Sequence, residues 1–100
     1  KNPEVPKGHF DALKAIHSTM PAYVVDESTM KIPAGWLIEQ AGWKGKRLGN
    51  YGVHAQQALV LVNYGGAQGR DILALSTAIM DDILQKFGVQ LEREVNVVGA

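Results

Sequence analysis

The run Pro33–Asn63, PAGWLIEQAGWKGKRLGNYGVHAQQALVLVN, constrains this chain more than any other stretch. Its end, ALVLVN, is apolar at successive positions, which marks an interior strand buried on both faces. Its beginning is a short helix. Pro33 suits the first helical position, where a missing N–H removes nothing, and Gly42 is a natural left-handed stop about two turns later. Trp36, Leu37, Gln40 and Ala41 then form the face expected to be buried. WKGKR turns the chain, and Gly45, Gly49 and Gly52 mark tight or bulged positions in a strand candidate over Lys46–Val53. HAQ separates that strand from a second over Gln57–Asn63. Polar residues feeding a buried strand are where a site is to be sought.

The remainder supplies the other elements. KNPEVPKGH is a Pro-punctuated opening without periodicity. From about Gly8 to Thr19, Phe10, Leu13, Ile16, His17 and Met20 recur at helical spacing, and Pro21 ends the helix. AYVVDES is a short strand candidate, and Met30–Ile32 adds an extended piece. YGGAQG is a flexible connector. The longest helix runs from about Arg70 to Phe87, with Ile72, Leu75, Ile79, Ile83 and Phe87 as its stripe, flanked by Leu73, Met80 and Leu84. Asp71 and Lys86 suit the two ends of its dipole, and Gly88 caps it. In VQLEREVNVV, Leu91, Arg93, Val95 and Val97 alternate with Glu92, Glu94 and Asn96, as on a strand with one polar face. This order predicts an α+β fold: a single small domain whose short, mostly antiparallel sheet is covered on one face by helices.

Composition excludes several function classes. One hundred residues with 46% hydrophobic content build one core, not two. Ten basic residues balance ten acidic ones, which argues against a nucleic-acid partner. With no cysteine, disulfides, thiolate metal sites and a Cys nucleophile are excluded. His9, His17 and His54 lack HxxxH spacing, so no metal site is expected. No apolar run approaches the ~18 residues of a membrane span, and no signal peptide is visible. A cytoplasmic location without a membrane partner is therefore expected. The opening on Lys1 rather than Met suggests a piece of a longer protein. YGGAQG lacks strand–GxGxxG–helix spacing, which rejects a dinucleotide fingerprint.

Few polar residues stand out. Lys44, Lys46 and Arg47 form a local cationic turn, which is commonly just a solvated one. Gln56 and Gln57 offer donors and acceptors at a strand entrance, suited to an amide or a nucleobase edge, yet such pairs are also common on plain surface. Tyr23 presents a ring and a hydroxyl or simply packs. Glu94 is a candidate proton-handling carboxylate, although two carboxylates on one strand face are usually only a solvated edge.

Three spaced motifs narrow these alternatives: AGWLIEQAGWKG, the pattern GxxxVHxxQALVLVN, and the C-terminal helix followed by LExEV. With them the chain closely resembles, over nearly its whole length, the C-terminal domain of the UDP-N-acetylenolpyruvoylglucosamine reductase (MurB) family. Its opening KNP is similar to the tail of that family's GSFFKNP motif. The resemblance implies that residues 1–100 are the substrate-binding domain of a larger FAD-dependent oxidoreductase of peptidoglycan-precursor synthesis, with the flavin-binding domains upstream.

It also implies roles. The family uses NADPH to reduce FAD, and then reduces UDP-N-acetylglucosamine enolpyruvate to UDP-N-acetylmuramate. A serine of GSFFKNP, three residues before the position of Lys1, supplies a proton. Glu94 matches the family's catalytic glutamate, beside the enolpyruvyl group. Lys44 matches the lysine of the substrate turn and suits a diphosphate. Asn2 and Gln57 match side chains that hydrogen-bond the substrate nucleotide, and Tyr23 matches a tyrosine lying along the substrate. No cofactor-binding residue is expected in this chain, which should be inactive alone. Arg93 stands where the family pattern has proline, and Asn96 where many members carry a basic residue. His54 belongs to the pattern and is read as structural. The alternative to this reading is a non-catalytic nucleotide- or protein-binding module using the KGKR turn.

Overall fold

In the computed structural model, residues 1–94 and 96–99 are described. The longest element, α3 (Gly69–Phe87), organises the core. Its stripe of Ile72, Leu75, Ile79, Ile83 and Phe87 is buried throughout, with Ile83 fully enclosed. Leu73 and Leu84 remain exposed and Met80 is half-buried, so the buried face is narrower than the apolar content. The helix starts with a capping box. Asp71 accepts from the Gln68 N–H at 2.9 Å, and the Gln68 side chain returns the bond to the first turn. It ends at Gly88, whose φ of 65° is the left-handed cap its sequence implies.

Two sheets form around this helix rather than the single sheet expected. Strands β1 (Glu4–Pro6), β2 (Tyr23–Asp26) and β3 (Thr29–Lys31) make an antiparallel sheet in the order β1-β3-β2. In the Pro-rich opening no strand was anticipated, because three residues are too few to show an alternation. Only Val5 of β1 is buried, opposite Met30. Asp26 closes the β2–β3 turn by accepting from the Ser28 N–H at 2.8 Å. The second sheet contains β4 (Arg47–Leu48), β5 (Tyr51–Val53), β6 (Val60–Asn63) and β7 (Asn96–Gly99), in the order β4-β5-β6-β7. The expected strand over Lys46–Val53 is thus a hairpin folded back on itself. Gly49 supplies the positive φ of its turn (70°), and Arg47 lies opposite Gly52. Strand β6 is interior, as its apolar run demands. Its partner β7 runs parallel, which α3 permits by carrying the chain across the sheet.

Two shorter helices complete the fold. Helix α1 (Lys7–Ile16) buries only Leu13 fully and ends at Ile16, earlier than expected, with Ile16 exposed. Helix α2 (Ala34–Gln40) follows Pro33, which is its N-cap rather than its first turn. Its buried residues are Ala34, Leu37 and Ile38, with Ala41 half-buried beyond them and Gln40 exposed. The spacing i, i+3, i+4, i+7 therefore governs, not the face through Gln40. Residues of both sheets and all three helices join one hydrophobic cluster, extended by Val89 and Leu91. The molecule measures 47 × 20 × 20 Å. Among the described residues, no helix is long and apolar enough to cross a membrane.

Candidate functional site

The turn between α2 and β4 and the loop between β5 and β6 lie side by side. Gly45 donates its N–H to the carbonyl of His54 at 3.2 Å. Gly45 adopts φ 77°, and a side chain there would meet the Ala55 backbone at 3.6 Å. The approach brings Lys44 and Gln57 into one open groove, together with Gly35, Glu39, Gln56, Ala58 and Leu59. Lys44 is not a bare cation: its Nζ lies 3.0 Å from Glu39 Oε1, with the lysine side chain 32% exposed. An exposed pair of this kind is worth about 0–1 kcal/mol, so an incoming anion can displace the carboxylate.

The turn is held from below by Trp43. The indole N–H donates to Asp82 Oδ2 of α3 at 2.7 Å, and Lys46 stacks over the ring at 4.9 Å from its centroid. Lys86 lies 3.0 Å from the same carboxylate and donates to the Ala41 carbonyl at 3.2 Å. Burial pushes the Asp82 carboxyl upward, but hydrogen bonds from Lys86 and Trp43 outweigh it and hold the group below its ordinary range.

Ala58 and Leu59 also line a second space of about 50 Å³ on their other side. Ile38, Leu61, Ile79 and Leu91 make it apolar, and Lys1, Glu92 and Glu94 stand at its mouth. Glu94 precedes β7 in an irregular segment rather than standing on a strand as expected, and Val95 lies outside the described residues. The Glu94 side chain is 49% exposed, and its Oε1 accepts from the α-amino nitrogen of Lys1. Arg93 fixes the segment to α3, donating to the Leu73 carbonyl at 3.3 Å and to Thr77 Oγ1 at 2.9 Å. The guanidinium thus restrains the position where a proline was expected.

Asn2 has a local task. Its Oδ1 accepts from the Ala34 N–H at 3.0 Å, capping α2 from 32 residues away because Pro33 has no side-chain acceptor. Ala34 itself lines the space below Glu94. Tyr23 is 60% exposed on β2, in the other sheet, and lines neither the groove nor the apolar space. The structure therefore groups Lys44 and Gln57 on one side of the Ala58–Leu59 ridge and Glu94 on the other, with Asn2 bonded to the helix between them. Tyr23 stands apart. Glu39 and Asp82 were not anticipated: Glu39 reads as an ordinary helix-surface residue, and Asp82 is 39 residues from Trp43. Among the described residues, no cluster of His, Cys, Asp or Glu is arranged to hold a metal.

Comparison with known proteins agrees with these motifs. The profile for the C-terminal domain of UDP-N-acetylenolpyruvoylglucosamine reductase matches residues 1–98. Proteins named UDP-N-acetylenolpyruvoylglucosamine reductase align with nearly the whole chain. The one from Bacteroides fragilis (strain ATCC 25285) is 52% identical over 97 residues, covering 97% of this chain and 29% of the relative. That from Flavobacterium johnsoniae is 50% identical over 98 residues, or 98% and 29%. The Alcanivorax borkumensis protein is 54% identical over 94 residues, or 94% and 27%. The chain thus spans less than a third of the length of these relatives. It belongs to the UDP-N-acetylenolpyruvoylglucosamine reductase family, as that family's C-terminal domain.

Proposed function

We propose that this domain binds the uridine diphosphate sugar substrate of a peptidoglycan-precursor reductase, which converts UDP-N-acetylglucosamine enolpyruvate to UDP-N-acetylmuramate. The observation that carries the reading is the Ala58–Leu59 ridge, with Lys44 and Gln57 in the groove on one side and Glu94 at the apolar space on the other. The Lys44 ammonium meets the diphosphate once Glu39 is displaced. Gln57 offers its amide to the nucleotide. Asn2, by capping α2, keeps one wall in place, and its amide nitrogen is the group left to donate to the nucleotide. Glu94 orients the enolpyruvyl group or handles its proton. The apolar space beneath it keeps water from that end of the ligand. Tyr23 contributes to the site only if the substrate extends toward the β1-β3-β2 sheet.

Among the described residues, the longest helix offers a flavin no pyrophosphate site. The N-terminus of α3 is closed by its own capping box, and the Asp71 carboxylate there repels a pyrophosphate. In this reading FAD and NADPH are held by the part of the reductase that this chain does not span, in a cytoplasmic enzyme of cell-wall synthesis. The test is a titration of residues 1–100 with UDP-N-acetylglucosamine, followed by amide NMR. Shifts at Lys44, Gln57 and their neighbours are expected, and Lys44→Ala should weaken them more at low salt than at high. Shifts confined to the distant β1-β3-β2 sheet, or none at saturating ligand, would refute the assignment.

A further inference from the structure

His54 makes three hydrogen bonds, two to neighbouring segments and one within its own loop. Its N–H donates to the Val60 carbonyl at 2.8 Å, at the start of β6. Its carbonyl accepts from Gly45, the residue after Lys44, at 3.2 Å. Its ring Nδ1 accepts from the N–H of Gln56, the residue before Gln57, at 3.0 Å. The two backbone bonds would survive any side chain, but the third would not. It closes an i to i+2 ring of the kind that Asn and Asp make in an Asx turn, and bends the chain so that Gln57 faces the groove. For Nδ1 to accept, its lone pair must be free, which places the neutral ring's proton on Nε2.

We propose that His54 is a positioning residue, whose Nδ1 holds Gln56 and Gln57 against the Lys44 turn in the arrangement that recognises a uridine diphosphate sugar. The proposal rests on the groove being the ligand site. It concerns ligand recognition, not the chemical step, since Glu94 lies across the ridge from His54's loop. The geometry sets a ranking of substitutions. Asparagine carries an acceptor at nearly the place of Nδ1 and can close the same turn. Glutamine sets its amide one carbon too far out, near Nε2, and alanine has none.

The first arm is nitrogen NMR of residues 1–100. The Nε2–H tautomer is expected for His54, and the Gln56 and Gln57 amides should keep their resonances in His54→Asn but move in His54→Gln and His54→Ala. The second arm is steady-state kinetics of the same variants in the full-length reductase. His54→Gln and His54→Ala should raise KM for the uridine substrate about tenfold while kcat changes less than about twofold, and His54→Asn should stay within about twofold of wild type in both. A proton on Nδ1, an asparagine variant no better than alanine, or a loss confined to kcat overturns the proposal. The two readings fail separately. If UDP-N-acetylglucosamine leaves the wild-type Lys44 and Gln57 amides unmoved, the groove is not the ligand site, whereas the tautomer and the variant resonances report on the His54 bond without any ligand.

Discussion

Glu94 stands half exposed at the mouth of an apolar space, outside regular structure, so its carboxylate has no packing duty. Glu94→Gln should change the folding free energy by no more than about 0.5 kcal/mol, the usual range for a surface change. In the full-length reductase it should slow substrate-driven reoxidation of the flavin about 100-fold or more, leaving reduction by NADPH unchanged. Normal reoxidation in stopped-flow traces would remove Glu94 from the chemistry. Asp82 makes a different prediction, about stability. Its carboxyl is depressed in the folded protein, so its contribution is full above the ordinary carboxylate range and disappears as pH falls through the folded value. Thermal midpoints measured from pH 7 down to pH 3 should therefore fall less steeply in Asp82→Asn than in wild type. Equal slopes would mean that the Trp43 and Lys86 contacts do not discriminate the charged form. Local pattern brings Lys44 and Gln57 to notice only among several polar residues, and the family resemblance is what implies a role for them. Asp82 could not be singled out from the sequence, because its partner Trp43 arrives only when the turn after α2 docks on α3.

Periodicity is averaged over many residues, and long elements were legible for that reason. Every residue assigned to the stripe of α3 is buried. Ile79→Ala should leave a cavity and cost roughly 2–5 kcal/mol, read as a lowered denaturation midpoint. An unchanged midpoint would show that the helix docks by another face. Short elements escaped for the opposite reason. Arg47–Leu48 and Tyr51–Val53 contain too few residues to distinguish one bent strand from a hairpin. Gly52 records the difference: a Cβ there would stand 2.4 Å from the Lys46 carbonyl oxygen and 2.8 Å from Arg47 Cα. Gly52→Ala should therefore splay the hairpin, at about 1–3 kcal/mol for an overpacked site. Retained amide-exchange protection across Val53, which donates to Lys46 at 2.8 Å, would contradict that reading.

Over the whole molecule, one cluster of buried side chains spans both sheets and all three helices, although the shape is more than twice as long as it is wide. The groove at Lys44 and Gln57 is open, and a pocket binds tightly only by burying most of its ligand. Residues 1–100 alone should thus bind UDP-N-acetylglucosamine much more weakly than the full-length reductase, and calorimetry on the two would measure the gap. The purified domain should also be colourless and retain no flavin, since Asp71 guards the N-terminus of its longest helix. Stoichiometric FAD in the purified domain would overturn that expectation.

Local patterns by themselves determined a good deal: the helical content, the burial of β6, and the left-handed cap at Gly88. These features depend on side-chain periodicity and backbone sterics within a few residues, which a linear string records. Tertiary structure decided that the strands divide between two sheets and that β7 runs parallel to β6. It also decided that Glu94 precedes a strand instead of lying on one. Contacts across long separations did the rest: Asn2 capping α2, and Asp82 anchoring Trp43. Such pairings depend on which surfaces meet when the core closes. No local spacing carries that information.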